Sequence, residues 1–264
     1  MLLYPGTIDL STTHLRYVAT VVRVHRRRIG SRWRRLSAGR QALLVLAHLR
    51  NGDPYARLAA GFGIGIATVY RYIRETVHLL AARAPTLTDA LRRLSRHGDN
   101  YAILDGSVIR TDRLAADRPF YSGKHRHHGI NLQALTDPRG RLLWVSDGLP
   151  AAVNDTAAAR HHNIPDACRQ AGITVLADSG YHHIANGVIT PYKRVGGGHI
   201  TTRELNPGQR VANTALARVR APGERGFATL KAWRILTRVR CSPHHVTTLA
   251  KAIHTLEHHP HHQG

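Results

Sequence analysis

Polar and apolar positions along the chain change rhythm near residue 100. Before it, apolar residues recur at helical spacing. Residues 12–30 read as a helix with a basic end, His25-Arg26-Arg27-Arg28, followed by Arg32, Arg34 and Arg35 around Trp33. Ser37 is placed to cap a second helix over 38–50, whose stripe is Leu43, Leu44, Leu46 and Ala47. Asn51-Gly52-Asp53-Pro54 stops it. A short helix over 54–61 leads into the turn Gly61 to Gly65, and 66–82 resumes helical spacing through Val69, Ile73, Val77 and Leu80. Beyond Pro85 one more amphipathic helix covers 86–96, and 97–100 reads as a linker.

From residue 101 the texture is that of strands. Residues 101–104 run apolar into Asp105-Gly106. Residues 130–136 and 141–147 flank the turn Asp137-Pro138-Arg139-Gly140 and predict a hairpin. A helix is expected over 154–171, with Asn154 or Asp155 at its start, then a buried strand over 173–177 ending in Asp178. Residues 187–205 are glycine-rich and irregular. From 207 to 257 the chain turns helical again, with breaks at Pro222-Gly223 and Pro243. Strand, helix and strand in alternation predict an α/β domain with a mixed sheet and flanking helices. Two domains are expected: 1–97, all helical, and 98–264.

The pair 54–61 and 66–82, joined by a glycine turn, has the layout of a helix-turn-helix. Its second helix would expose Thr68, Arg71 and Arg74 to the major groove. Charge strengthens this reading. The 264 residues carry 38 Lys and Arg against 16 acids, a formal net charge of +22, and only four of the cations are lysine. Such an excess implies a polyanionic partner. A basic ribosomal or membrane-surface protein is the bland alternative. It loses weight because 42% of the residues are hydrophobic and fall in ordered runs. Arg26, Arg27, Arg28, Arg34 and Arg35 are expected to hold DNA phosphates rather than read bases. Cys168 and Cys241 form neither a metal motif nor a disulfide framework, which fits a reducing cytosol. No run reaches the ~18 apolar residues of a membrane span, and no signal peptide is visible at the start.

The candidate chemistry lies in the second domain. AILDGS and VLADSG share a form: an apolar strand, then Asp, then a small residue. Taken singly, an Asp at a strand end is a turn-former. Taken together, Asp105 and Asp178 on neighbouring strands would repel, and a hard cation such as Mg²⁺ relieves that by binding carboxylates, phosphate oxygens and water. Glu224 opens a third possibility, with Lys231 two helical turns further on. Arg220 precedes Glu224 by four positions, across the break at Pro222. The bland reading of Glu224 and Lys231 is a surface ion pair of little energetic value. The loop Ser122 to His128, with Lys124 and Arg126, is expected to touch DNA.

The stretches DGS at 105–107, DRPFYSGKHRHHGINLQ at 117–133, PAAVND at 150–155, LADSGY at 176–181, TPYK at 190–193 and GERGFATLKAWRIL at 223–236 resemble bacterial insertion-sequence transposases of the DDE superfamily, with Harbinger-like endonucleases sharing much of the pattern. The resemblance spans nearly the whole chain. It implies an RNase H-like core in 98–264 and carries the catalytic, metal-binding acids onto Asp105, Asp178 and Glu224. Relatives also place a Tyr, an Arg and a Lys around the Glu. Arg220 and Lys231 match, as DNA contacts, whereas the Tyr position holds Ala217. Asp155 is read as a helix cap or accessory acid before a third ligand.

The implied activity is cleavage at terminal inverted repeats and strand transfer into target DNA, with two Mg²⁺ ions per site and Mn²⁺ as a substitute. The implied partners are double-stranded DNA, as repeats and as target, and a homodimer or higher assembly on DNA, without membrane, in a bacterial cytoplasm near the nucleoid. Two other readings compete: an inactive DNA-binding regulator derived from a transposase, and a basic structural RNA-binding protein. The 20 histidines, including His182-His183 and the terminal His258, His259, His261 and His262, match no zinc motif and are expected to face solvent or DNA.

Overall fold

The structure is a computed structural model that describes residues 8–112, 118–197, 200–237, 239 and 243–258. Cys241, His259, His261, His262 and Asp117 of the quoted motif lie outside the described residues. The chain groups into two compact units, one of residues 1–84, 109–113 and 229–264, the other of 85–108 and 114–228.

In the first unit, α1 (Thr12–Arg28), α2 (Ala38–Asn51), α3 (Tyr55–Phe62) and α4 (Ile66–Ala81) pack with α10 (Pro243–His258). Ser37 caps α2 by accepting the Arg40 N–H, and Gly52 ends it in the left-handed conformation (φ 71°). The buried side of α2 holds Ala42, Leu44, Val45, Leu46 and Leu49, together with Gln41. Leu43, expected in the stripe, faces outward instead. It stands one position off the face that Gln41 and Thr76 hold with a buried hydrogen bond of 2.9 Å. Helix α3 runs one residue past Gly61, so the turn is Gly63-Ile64-Gly65, with Gly63 left-handed (φ 65°). The inner side of α4 is Val69, Ile73, Val77 and Leu80, as expected, with Tyr72 and Thr76. Helix α10 packs against α4, where Thr255 donates to the Leu80 carbonyl (2.9 Å).

The second unit is the α/β one. Strands β1 (Tyr101–Arg110), β2 (Tyr121–Ser122), β3 (His127–Thr136), β4 (Leu142–Val145), β5 (Leu149–Pro150), β6 (Thr174–Ala177) and β7 (Val188–Ile189) form a seven-stranded sheet. Its path is β2-β3-β1-β6-β7, with β4 and β5 also paired to β3. β1, β6 and β7 are mutually parallel, while β2, β4 and β5 run antiparallel to β3. This mixed sheet with flanking helices is the expected RNase H-like α/β class. The hairpin turn falls at 137–140, where the buried Asp137 carboxylate accepts from the Arg139 and Arg141 N–H groups and from the Arg141 guanidinium.

One face of the sheet is dry. Leu104, Leu135, Trp144, Val175 and Ala177 pack there with Leu91 and Leu94 of α5 (Leu87–Arg96) and with Ile164 and Cys168 of α7 (Ile164–Gln170). The helix expected over 154–171 is two helices, α6 (Asp155–His161) and α7. Asn163 stands between them at φ 54°, a left-handed conformation that ends one helix, and Pro165 starts the next. The irregular segment 187–205 holds a small hairpin, β8 (Val195–Gly197) and β9 (Ile200–Arg203). Helix α8 (Pro207–Arg220) opens with a capping box between Asn206 and Gln209, and α9 (Glu224–Lys231) comes after the break at Pro222-Gly223. Among the described residues, no helix is long and apolar enough to cross a membrane.

Candidate active site

Register places the first two acids. β1 and β6 pair in parallel from Tyr101↔Thr174 to Leu104↔Ala177, so Asp105 and Asp178 occupy the next position on neighbouring strands. Asp178 ends its strand, as expected, and caps a short 3-10 turn by accepting the Gly180 N–H (2.7 Å). Asp105 does not end its strand. β1 continues to Arg110, because its other edge lies beside the ten-residue β3.

The third acid arrives by close backbone approach. A Cβ on Gly223 would stand 2.4 Å from Ile103 Cγ2, and one on Gly226 would stand 2.5 Å from Thr136 Cγ2. Glycines at these two positions let the start of α9 settle on β1 and β3. The result is one cavity of about 320 Å³ lined by Ile103, Asp105, Asp178, Ala217, Arg220, Ala221, Gly223 and Glu224. Ile103 and Asp105 share a strand face by the two-residue period. All three expected acids therefore line one cavity, and Arg220, from the last turn of α8, joins them. Ala217, at the expected Tyr position, lines it too.

The electrostatics of the cavity are those of crowded carboxylates. Burial, followed by the charges of Asp178 and Asp155, pushes the Asp105 carboxyl up to about 6, against the Gly106 N–H (2.9 Å) and Arg220, which favour the charged form. Arg220 Nε is buried without a hydrogen-bond partner among the described residues. A cation facing Asp105 and Asp178, with phosphate against Arg220, would satisfy both strains, so the donor set fits a hard divalent ion on a phosphodiester. Among the described residues, no three His, Cys, Asp or Glu side chains stand placed to hold a metal by themselves. The remaining ligands of such an ion would come from phosphate and water.

Sequence reasoning missed the support beneath Asp105. On the other face of the sheet, Asp155 Oδ1 accepts from Asn131 Nδ2 (3.0 Å) and Gln133 Nε2 (3.3 Å), and Tyr181 Oη donates to Gln133 Oε1 (2.6 Å). Burial, then the charges of Asp155, Asp105 and Asp178, raise the Tyr181 phenol well above its ordinary value. Gly106 sits against this network: a Cβ there would stand 2.5 Å from Asp155 Oδ1, 2.7 Å from Tyr181 Oη and 2.8 Å from Gln133 Nε2. The available signal was the pair of amides, Asn131 and Gln133, at alternate positions among the buried apolar residues Ile130, Leu132, Ala134 and Leu135.

The other expected residues divide. Arg27, Arg28, Arg35, Arg71, Arg74, Lys124, Arg126 and Lys231 are exposed, and Thr68 is half-buried. Arg71 hydrogen-bonds the Ala67 carbonyl (3.3 Å), and Arg74 donates to Tyr70 Oη (2.7 Å). Arg26 and Arg34 turn inward. Arg26 donates to Gln41 (2.6 Å), and Arg34 forms a two-pronged pair with Glu75 (2.8 and 3.2 Å). Lys124, Arg126, His182, His183 and Lys231 do not line the cavity. His182 Nδ1 instead meets Thr190 Oγ1 (2.9 Å).

A carboxylate-lined cavity on an RNase H-like sheet, in a chain with a separate helix-turn-helix, is the design of an enzyme that cuts nucleic acid. Similarity to known proteins makes this specific. The family described as "DDE superfamily endonuclease" matches residues 104–257, and "Helix-turn-helix of DDE superfamily endonuclease" matches residues 34–86. The chain belongs to the DDE superfamily of endonucleases. It is also similar to a Streptomyces albus G protein described as a candidate transposase for insertion sequence element IS112, 27% identical over 197 residues, covering 74% of this chain and 70% of the relative. No solved structure matches the chain significantly.

Proposed function

We propose that this endonuclease is a DNA transposase that cuts at the terminal inverted repeats of a mobile element and joins the freed ends to target DNA. The observation that carries the proposal is the convergence of Asp105, Asp178, Glu224 and Arg220 on one cavity. The likeness to a protein described for an insertion sequence supports it.

In this reading Asp105, Asp178 and Glu224 are the catalytic residues and hold Mg²⁺, two ions per site with Mn²⁺ as a substitute. These ions would supply Lewis-acid activation of water and of the scissile phosphate. Asp105 is steadied by the Gly106 N–H, and Asp178 by its own turn. Arg220, which lines the cavity, would hold a phosphate oxygen with its guanidinium. Water's oxygen bonds to phosphorus, the bond from phosphorus to the 3′ oxygen breaks, and a 3′-hydroxyl is freed. That hydroxyl then attacks a target phosphodiester, displacing its 3′ oxygen.

Residues 1–97 would bind DNA and 98–264 would catalyse. Thr68, Arg71 and Arg74 would enter the major groove. Arg26, Arg27, Arg28, Arg34, Arg35, Lys124, Arg126 and Lys231 would hold phosphates, Arg26 and Arg34 while also keeping their bonds to Gln41 and Glu75. Joining two ends calls for a homodimer or higher assembly on DNA, in a bacterial cytoplasm near the nucleoid.

The test is cleavage of a duplex carrying the element's end, in Mn²⁺ or Mg²⁺ and in EDTA, with Asp105→Asn and Asp178→Asn beside the unaltered protein. Metal-dependent nicking that both variants lose, with DNA affinity retained, is expected. Cutting by Asp105→Asn at the original rate would overturn the assignment. Binding without cutting by the unaltered protein would leave the regulator reading in its place.

A further inference from the structure

Trp33 stands out among the large apolar side chains. It is 92% exposed, the most of any in the described chain, while the other two tryptophans, Trp144 and Trp233, are 8% and 0% exposed. A single exposed apolar side chain is ordinary in itself. Its setting here is not, because the loop that carries it is fixed on both sides. The Ser31 N–H donates to the Arg26 carbonyl (3.0 Å), and Gly30 takes the left-handed turn (φ 61°). Arg34 Nε donates to Ser31 Oγ (2.7 Å) and its guanidinium grips Glu75. Leu36 is 3% exposed, and Ser37 caps α2. With Arg34 drawn inward and Leu36 buried, Trp33 is held outward between exposed Arg32 and Arg35.

Two further facts define what it faces. No Asp or Glu occurs from residue 10 to residue 52, so everything covalently near the loop is neutral or cationic. Arg35, two positions on, lines a surface hollow with Gly63, Ile64, Gly65, Ile66 and Thr68, which are the turn and first residues of α4. The loop that carries Trp33 therefore reaches the start of α4 through Arg35. A rigidly presented indole flanked by arginines suits a polyanion whose grooves are walled by sugars and base edges.

We propose that Trp33 packs against the sugars and base edges of bound double-stranded DNA, while Arg32 and Arg35 hold the phosphates on either side. The inference rests on the DNA-binding part of the proposed function and not on catalysis. Such packing reads no hydrogen-bond pattern, because the faces of paired bases are stacked on one another and only their edges line the grooves. Trp33 adds affinity rather than sequence choice.

The exposure pattern supplies the probe. With two tryptophans buried, acrylamide quenching of the full-length protein reports mainly on Trp33. Titration with a mixed-sequence DNA duplex should shield Trp33 from acrylamide. Trp33→Ala should weaken binding about tenfold, as loss of one aromatic anchor at an interface does, and Trp33→Phe should restore most of it. Melting temperatures of both variants should match the unaltered protein, since the side chain packs on little. Duplex binding with Trp33 still fully quenchable, or with Trp33→Ala at unaltered affinity, overturns the inference and leaves the transposase reading standing. Shielding that appears on raising protein concentration without DNA identifies a second copy as the occupant and overturns it as well. A protein that binds no duplex overturns both readings.

Discussion

Replacing Gly106 by alanine puts a methyl group where three polar atoms already stand. The new Cβ would lie 2.5 Å from Asp155 Oδ1, 2.7 Å from Tyr181 Oη and 2.8 Å from Gln133 Nε2. The backbone there is not left-handed, so crowding alone sets the cost. None of the three atoms ends a free, flexible side chain, since each is tied to the others by hydrogen bonds. Overpacking of this kind costs about 1–3 kcal/mol, and one broken buried hydrogen bond adds about 1–3 kcal/mol. The same atoms are counted in both, so the sum is incomplete and about 3 kcal/mol is expected. At roughly 2–4 °C per kcal/mol for a domain of this size, the melting temperature should fall by about 6–12 °C. Gly61→Ala is the control: a Cβ there meets nothing within 4 Å, and α3 should hold or gain stability. Thermal melts by circular dichroism compare the two, and cleavage should fall with Gly106→Ala because the crowding displaces the backbone N–H that holds Asp105. A Gly106→Ala protein melting within about 2 °C of the original would refute the packing argument.

Four other outcomes are expected. Asp105, pushed up to about 6 from its ordinary 3.8, keeps its proton longer folded than unfolded. Metal-free stability should thus fall as pH rises from about 4 to about 6 and level off above, by at most about 3 kcal/mol and less where solvent screens the carboxyl. Urea melts in EDTA should show that slope, and Asp105→Asn should flatten it. Arg34→Ala strips two hydrogen bonds from Glu75 and should cost about 2 kcal/mol. Arg28→Ala, on an exposed residue, should leave melting unchanged and reduce the salt dependence of DNA binding; equal melting of the two variants would count against the internal role of Arg34. A fragment of residues 1–97 should fail to melt cooperatively, because it lacks Val246, Leu249, Ala250, Ile253 and Leu256, which α10 buries. A sharp transition in that fragment would show that α4 needs no such cover.

Much of the candidate site was legible because its signals are local. Asp105 and Asp178 each follow four mostly apolar strand residues, and parallel register turns that repeated form into adjacency. Glu224 follows a Pro-Gly break, so a helix start was readable there. Other features depend on distant partners. Asn163 takes a left-handed conformation that many asparagines in helical stretches do not, so the split between α6 and α7 could not be read from spacing. Leu43 lost its place to Gln41, whose burial makes sense only beside Thr76 and Glu75. Arg26 and Arg34 look like their exposed neighbours in sequence, and only Gln41 and Glu75, far along the chain, separate them. The Asp155 network hid for the same reason, since a buried amide is tolerable only once its partner is known.

Helix α4 has its inner face covered by α10, which lies far downstream in the chain. A ribosome delivers α4 long before it delivers α10. The growing chain therefore carries the second helix of its helix-turn-helix uncovered through most of translation, and a product that stops early never completes it. Prematurely terminated copies should be poor competitors for the DNA that finished molecules occupy.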